Sequence, residues 1–194
     1  MQKIMFNDQY GLTQAVLDGR KTQTRRIAYQ KPFKYNCNCG FCTEGKDKGK
    51  FTINDGNEIV AKSTYRIGEV VAVAQRYSDI SLEPSIRTIL CKHPGWNNKM
   101  FVTAKTMHHQ IKIINISVQR LQNISTDDCM KEGIFCSHIE GIADAFSYDA
   151  TNDSFEKKWW YRTPIEAYKM LSCKLHLHWG SNPLVFVYDF ELVK

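Results

Sequence analysis

The stretch LDGRKTQTRRI, Leu17 to Ile27, sets Arg20, Lys21, Arg25 and Arg26 around the hydrogen-bonding side chains of Thr22, Gln23 and Thr24. Cations at this density can attract a phosphate-bearing ligand, and a lysine among other cations can lose its proton more readily than a free lysine. A hydroxyl beside such an amine is the pairing that nucleophilic catalysis requires. In a regular strand Lys21, Gln23 and Arg25 would share one face and Thr22, Thr24 and Arg26 the other. Lys21 and Thr24 converge only if the backbone from Gly19 to Lys21 turns, which the glycine permits. The alternative is an edge strand whose charges block aggregation.

Other residues of chemical interest stand in less telling patterns. Cys37, Cys39 and Cys42 crowd one loop, with Cys91 and His93 as distant completions, but paired half-sites of the C-x2-C kind are missing, so no metal is expected. His108, His109, His176 and His178 read as surface residues. Trp96, in HPGWNNKMF, is flanked by cations and is the best candidate for stacking on a base; Trp179 is assigned to the core.

The elements that must position these residues follow from periodicity. With 194 residues, 43% of them hydrophobic, the chain suits a single domain over residues 1–194. Strands are expected at Lys3–Phe6, Thr22–Ile27, Val70–Ala74, Phe101–Lys105, Gln110–Leu121 and Leu184–Val193. The alternation at Ile111 and Ile113 changes phase to Ile114, Ile116 and Val118, which predicts a bulge. Curved strands of this kind suit a closed or nearly closed barrel. Short helices are expected before Gly19, from Ser125 to Gly133, and from Thr163 toward Gly180. Residues 28–63 read as an irregular insertion, and residues 136–161 as a second variable segment, both peripheral.

The formal charge of +6, from 26 Lys and Arg against 20 Asp and Glu, favours a polyanionic partner. No apolar run is long enough for a membrane span, and MQKIMFNDQY lacks a signal-peptide core, so a cytoplasmic protein is expected. Seven scattered cysteines read as reduced thiols.

LDGRKTQTRR, YRIGEVVAV, IKIINISVQRLQNISTDDCMKEGI and WGSNPLVFVYDFELV together resemble the ASCH-domain family, in its longer, phage- and prophage-associated branch. The resemblance leaves out only residues 28–63 and 136–161. It implies an α+β fold, a PUA-like mixed β-barrel with flanking helices, and a basic cleft for RNA or a nucleoside, with no cofactor and no membrane partner. In that cleft Arg20, Gln23, Arg25, Arg26 and Trp96 would contact the ligand. Some short members of the family are amidohydrolases that remove an acyl group from N4-acylated cytidine with a lysine, a threonine and a glutamate. Those residue types fall here on Lys21, Thr24 and Glu132, as base, nucleophile and proton donor. The enzymatic members are roughly half this length, close to the minimum for a single core.

Overall fold

The computed structural model describes all residues except 30, 32–36, 43–46, 57, 140–141, 152–158 and 194. Its elements run β1 (Lys3–Ile4), α1 (Leu12–Leu17), β2 (Gln23–Tyr29), β3 (Cys37–Phe41), β4 (Phe51–Asp55), β5 (Glu58–Lys62), β6 (Val70–Val73) and α2 (Pro84–Leu90). Then come β7 (Gln110–Arg120), α3 (Thr126–Lys131), β8 (Phe135–Ile139), β9 (Ile142–Ser147), α4 (Pro164–Lys174) and β10 (Leu184–Leu192). The fold is mixed α+β.

The central sheet has five strands in the order β1-β6-β7-β10-β2. β1 pairs parallel with β6, and the other neighbours are antiparallel. No pairing joins β1 to β2 among the described residues, so a closed barrel is not detected. The core lies where Ile4, Val71, Val73, Ile111, Ile113, Val185, Val187 and Tyr188 bury their side chains, with Leu171 and Tyr168 of α4 packed into the same cluster. The phase change in β7 coincides with a register shift: Asp189 pairs with Asn115 and Phe190 with Ile113, so Ile114 is the extra residue and turns outward.

Three expectations need correction. Phe101–Lys105 is not a strand: Lys99–Phe101 and Ala104–Thr106 are 3-10 turns, because local groups capture the backbone. The Asn98 side chain accepts from Met100 N, the Tyr77 hydroxyl accepts from Thr103 N, and the Thr106 hydroxyl donates to Thr103 O. The insertion is ordered where it is described, as the antiparallel sheet β3-β4-β5. Its polar and glycine-rich stretches supply turns, with Gly49 and Gly56 at positive φ, and Ile53 between them is fully buried in the main core. The helix beginning at Pro164 ends at Lys174, short of Gly180, and His176 and His178 follow in left-handed conformations. The second variable segment contains the β8–β9 hairpin.

Candidate functional site: a buried Lys21–Glu132 pair beside a cavity

The turn after α1 places Lys21. Asp18 caps the helix, Gly19 takes φ +73°, and Lys21 N donates to Ala15 O at 2.8 Å. Because β2 starts only at Gln23, Lys21 lies outside the strand's alternation and its side chain swings to the same cavity as Thr24. The other half comes from α3. Ser125 caps its N-terminus by accepting from Asp128 N at 3.1 Å, and the helix ends at Glu132. Gly133, at φ +99°, releases the chain where Leu12, Ala15 and Lys21 leave no more than ordinary contact room for a Cβ.

Lys21 Nζ donates to Glu132 Oε2 at 2.6 Å and to Glu132 O at 2.7 Å. Their side chains are only 2% and 4% exposed. Burial lowers the Lys21 pKa, Glu132 opposes that effect, and Arg26 and Arg25 add to the lowering. Arg25, with a side chain fully sealed from solvent, joins the other carboxylate oxygen: Nη1 lies 3.0 Å from Glu132 Oε1, and Nη2 lies 3.0 Å from Asp128 Oδ2. Nη1 also donates to Gln23 Oε1. The Gln119 amide, with its oxygen turned to the guanidinium, accepts from Nη2 at 2.6 Å and Nε at 3.1 Å. Every donor of Arg25 is therefore engaged inside the protein. Its guanidinium also lies 5.8 Å from the ring of Tyr168, whose buried hydroxyl has no hydrogen-bond partner among the described residues.

A cavity of about 400 Å³ opens beside this network. Lys21, Thr24, Arg25, Arg26 and Glu132 line it, together with apolar Phe6, Leu175 and Leu177 and the polar Asp8 and Lys99. The volume is in the range of small-ligand sites. The Thr24 hydroxyl makes no hydrogen bond to a described residue and so is open to a ligand. Arg26 is exposed and donates to Met5 O at 2.6 Å. Lys99 is held at the rim by Asp8 at 2.7 Å, Thr13 at 3.2 Å and the Phe6 carbonyl.

The structure thus brings Lys21, Thr24, Arg25, Arg26 and Glu132 together and leaves other expected residues outside. Arg20 is exposed, pairs loosely with Asp18 at 3.8 Å and faces a different depression, beside Cys136. Gln23 turns away to Asp189, at 2.6 Å, and Asp128, at 3.3 Å. Trp96 is not at the cavity: it packs half-buried against the small cluster that includes Tyr77 and Val102, and the Arg87 guanidinium lies 5.5 Å from its ring. Arg25 lines the cavity while its donors are taken up by Gln23, Glu132, Asp128 and Gln119. The expectation on Cys37, Cys39 and Cys42 involves Cys37, whose side chain lies outside the described residues.

Sequence reasoning missed Asp128, Gln119, Lys99 and Tyr168. Asp128 had a signal, since it lies four residues before Glu132 and both therefore share one face of α3. Gln119 and Lys99 had none, because only the sheet register and the fold of the 3-10 segment bring them near. No family model, no curated protein and no solved structure matches this chain. Among the described residues no helix is long and apolar enough to cross a membrane.

Proposed function

We propose that this chain is an ASCH-type protein with a PUA-like architecture, and that it binds a nucleoside, free or within RNA, in the cavity beside Lys21. The cavity itself carries the reading: about 400 Å³, lined by apolar Phe6, Leu175 and Leu177 and by Thr24, Arg26, Lys99 and the Lys21–Glu132 pair. Apolar walls suit a base, and the exposed Arg26 suits a phosphate. The mixed sheet with α1 and α3 meeting at Lys21 is in keeping with the architecture.

The second reading, hydrolysis of N4-acylated cytidine, is favoured by the buried pair sharing its cavity with the unengaged Thr24 hydroxyl. In this reading the pair carries one proton between Nζ and Oε2. Thr24 Oγ attacks the acyl carbon while neutral Lys21 takes its proton, and the C–N4 bond breaks as Glu132 gives a proton to the departing amine. Water then cleaves the acyl-threonine, releasing the carboxylic acid and restoring Thr24. Desolvation of Lys21 is what makes an amine base available nearer neutrality.

Calorimetry with cytidine and its N4-acetyl derivative, followed by chromatography of the mixture, tests both readings. Saturable binding without product supports a binding protein. Cytidine appearing with wild type and not with Lys21→Ala supports the hydrolase. Neither binding nor turnover, with a short RNA also failing to bind, overturns the proposal.

A further inference from the structure

Away from the cavity, the β8–β9 hairpin gathers a thiol, an imidazole and a carboxylate. Cys136 and His138 alternate on one face of β8, and Cys136 pairs with Phe146, two residues from Asp144 on β9. The register slips between Ser137 and Ile139, which sets His138 beside Asp144. His138 Nδ1 lies 2.6 Å from Asp144 Oδ1, and one donor atom from each of the three residues lies within 4.8 Å of the other two. Nothing in the proposed function uses them.

We propose that Cys136, His138 and Asp144 form an open Zn2+ site on this hairpin, with the fourth coordination position left to water or an exchangeable ligand. Sulfur, nitrogen and oxygen together suit a borderline-soft ion, whereas Mg2+ and Ca2+ prefer all-oxygen shells. Three protein ligands leave a tetrahedral ion with a free position. The donors already stand close: a tetrahedral Zn2+ needs its nitrogen and oxygen ligands about 3.4 Å apart. His138 and Asp144 are both exposed and can open from 2.6 Å to that separation by rotating their side chains. The ion replaces the hydrogen bond between them and draws in Cys136, which is half-buried beneath. A thiol binds the ion as thiolate, so binding releases a proton and weakens in acid. An ion held by both strands clips the hairpin across its bulge.

The full chain, stripped with a chelator, is titrated with Zn2+ by calorimetry and with Co2+ by absorption. A single equivalent should bind, and Co2+ should show a thiolate charge-transfer band. Cys136→Ser should abolish the band. His138→Ala, at a position exposed enough to spare the fold, and Asp144→Ala should each weaken Zn2+ by at least about tenfold. Cys39→Ser and Cys42→Ser should change neither readout. Failure of the wild type to bind Zn2+, a Co2+ band that survives Cys136→Ser, or binding lost in Cys39→Ser overturns the site.

Discussion

Lys21 Nζ stands 2.6 Å from Glu132 Oε2 although 111 residues separate them, and neither side chain has meaningful access to water. One carboxylate is thereby shared by two buried cations, since Arg25 holds its other oxygen, and Asp128 supplies Arg25 with a second carboxylate. The arrangement is asymmetric. Glu132→Ala strands Lys21 and leaves Arg25 with Asp128 as its one carboxylate, and should cost about 3–5 kcal/mol in denaturant unfolding. Lys21→Met leaves Glu132 paired with Arg25 and should cost less than about 3 kcal/mol. Equal losses would mean that Arg25 does not share the carboxylate.

The pair also sets a pH dependence. Burial lowers the Lys21 pKa in the folded state below its ordinary value of 10.5. Between that lowered value and 10.5 the unfolded chain binds more protons than the folded one, so the Lys21 contribution to stability rises with pH across that window. Other groups act oppositely: burial pushes the Cys129 thiol from 9.0 up to about 12, which removes stability as pH climbs past 9. The difference between wild type and Lys21→Met isolates the lysine. Plotted against pH from neutrality to 10, that difference should move in favour of the wild type, and a flat difference would contradict the assigned direction.

The sequence reveals the strands of the central sheet far better than the segments around them. Alternation in β7 and β10 is written in Ile, Val and Phe, and even the bulge at Ile114 shows as a slip of phase. The β3-β4-β5 sheet hides because its strands are short, Ile53 is fully buried while Phe51, Val60 and Ala61 are only partly so, and the stretches between the strands are rich in Gly, Lys and Asp. Within the site, the turn at Gly19 is legible from the glycine, whereas Glu132, a helix-end acid before Gly133, is singled out only by the family resemblance. The saturation of Arg25 is not legible, because Gln119 reaches it only through the register that places β7 and β2 on either side of β10. A cluster of arginines in a sequence cannot say which one is spent on the protein itself.

That division between arginines is measurable. Arg26 is exposed at the cavity and Arg25 is sealed, so only Arg26 has donors for a phosphate. Arg26→Ala should reduce the salt dependence of RNA binding by about one unit of slope. Arg25→Lys should destabilise the fold, because an ammonium cannot reproduce the fork shared by Glu132, Asp128 and Gln119. Its salt slope, measured on the folded fraction, should stay at the wild-type value. A drop in slope for Arg25→Lys alone would reverse the assignment.

Gly133 couples backbone shape to the position of Glu132. At φ +99° an alanine is strained, and Gly133→Ala should cost on the order of 1–2 kcal/mol. The nearest atoms to an added Cβ belong to Leu12, at 3.5 Å, and to Ala15 and Lys21, at 3.6 Å, so steric overlap is not the cause. Relief of the strain would turn Glu132 away from Lys21, and binding of cytidine should weaken along with stability. A variant of unchanged melting temperature and affinity would show that the backbone there tolerates a side chain.

Thr24 separates chemistry from binding most cleanly. Its side chain is buried in β2 and lines the cavity, yet its hydroxyl engages no described residue, so valine can replace it without stranding a partner. β-branched valine suits the strand as well as threonine does. Thr24→Val should therefore unfold within about 1 kcal/mol of wild type and bind cytidine within about threefold. If the hydroxyl is the nucleophile, release of cytidine from its N4-acetyl derivative should fall at least about a hundredfold in the same variant. Lys21→Met should lose turnover too, whereas Thr24→Ser should keep part of it, since a hydroxyl remains on the same strand facing the same buried pair. Turnover that persists in Thr24→Val while vanishing in Lys21→Met would make water the attacking group and leave Thr24 as a wall of the cavity.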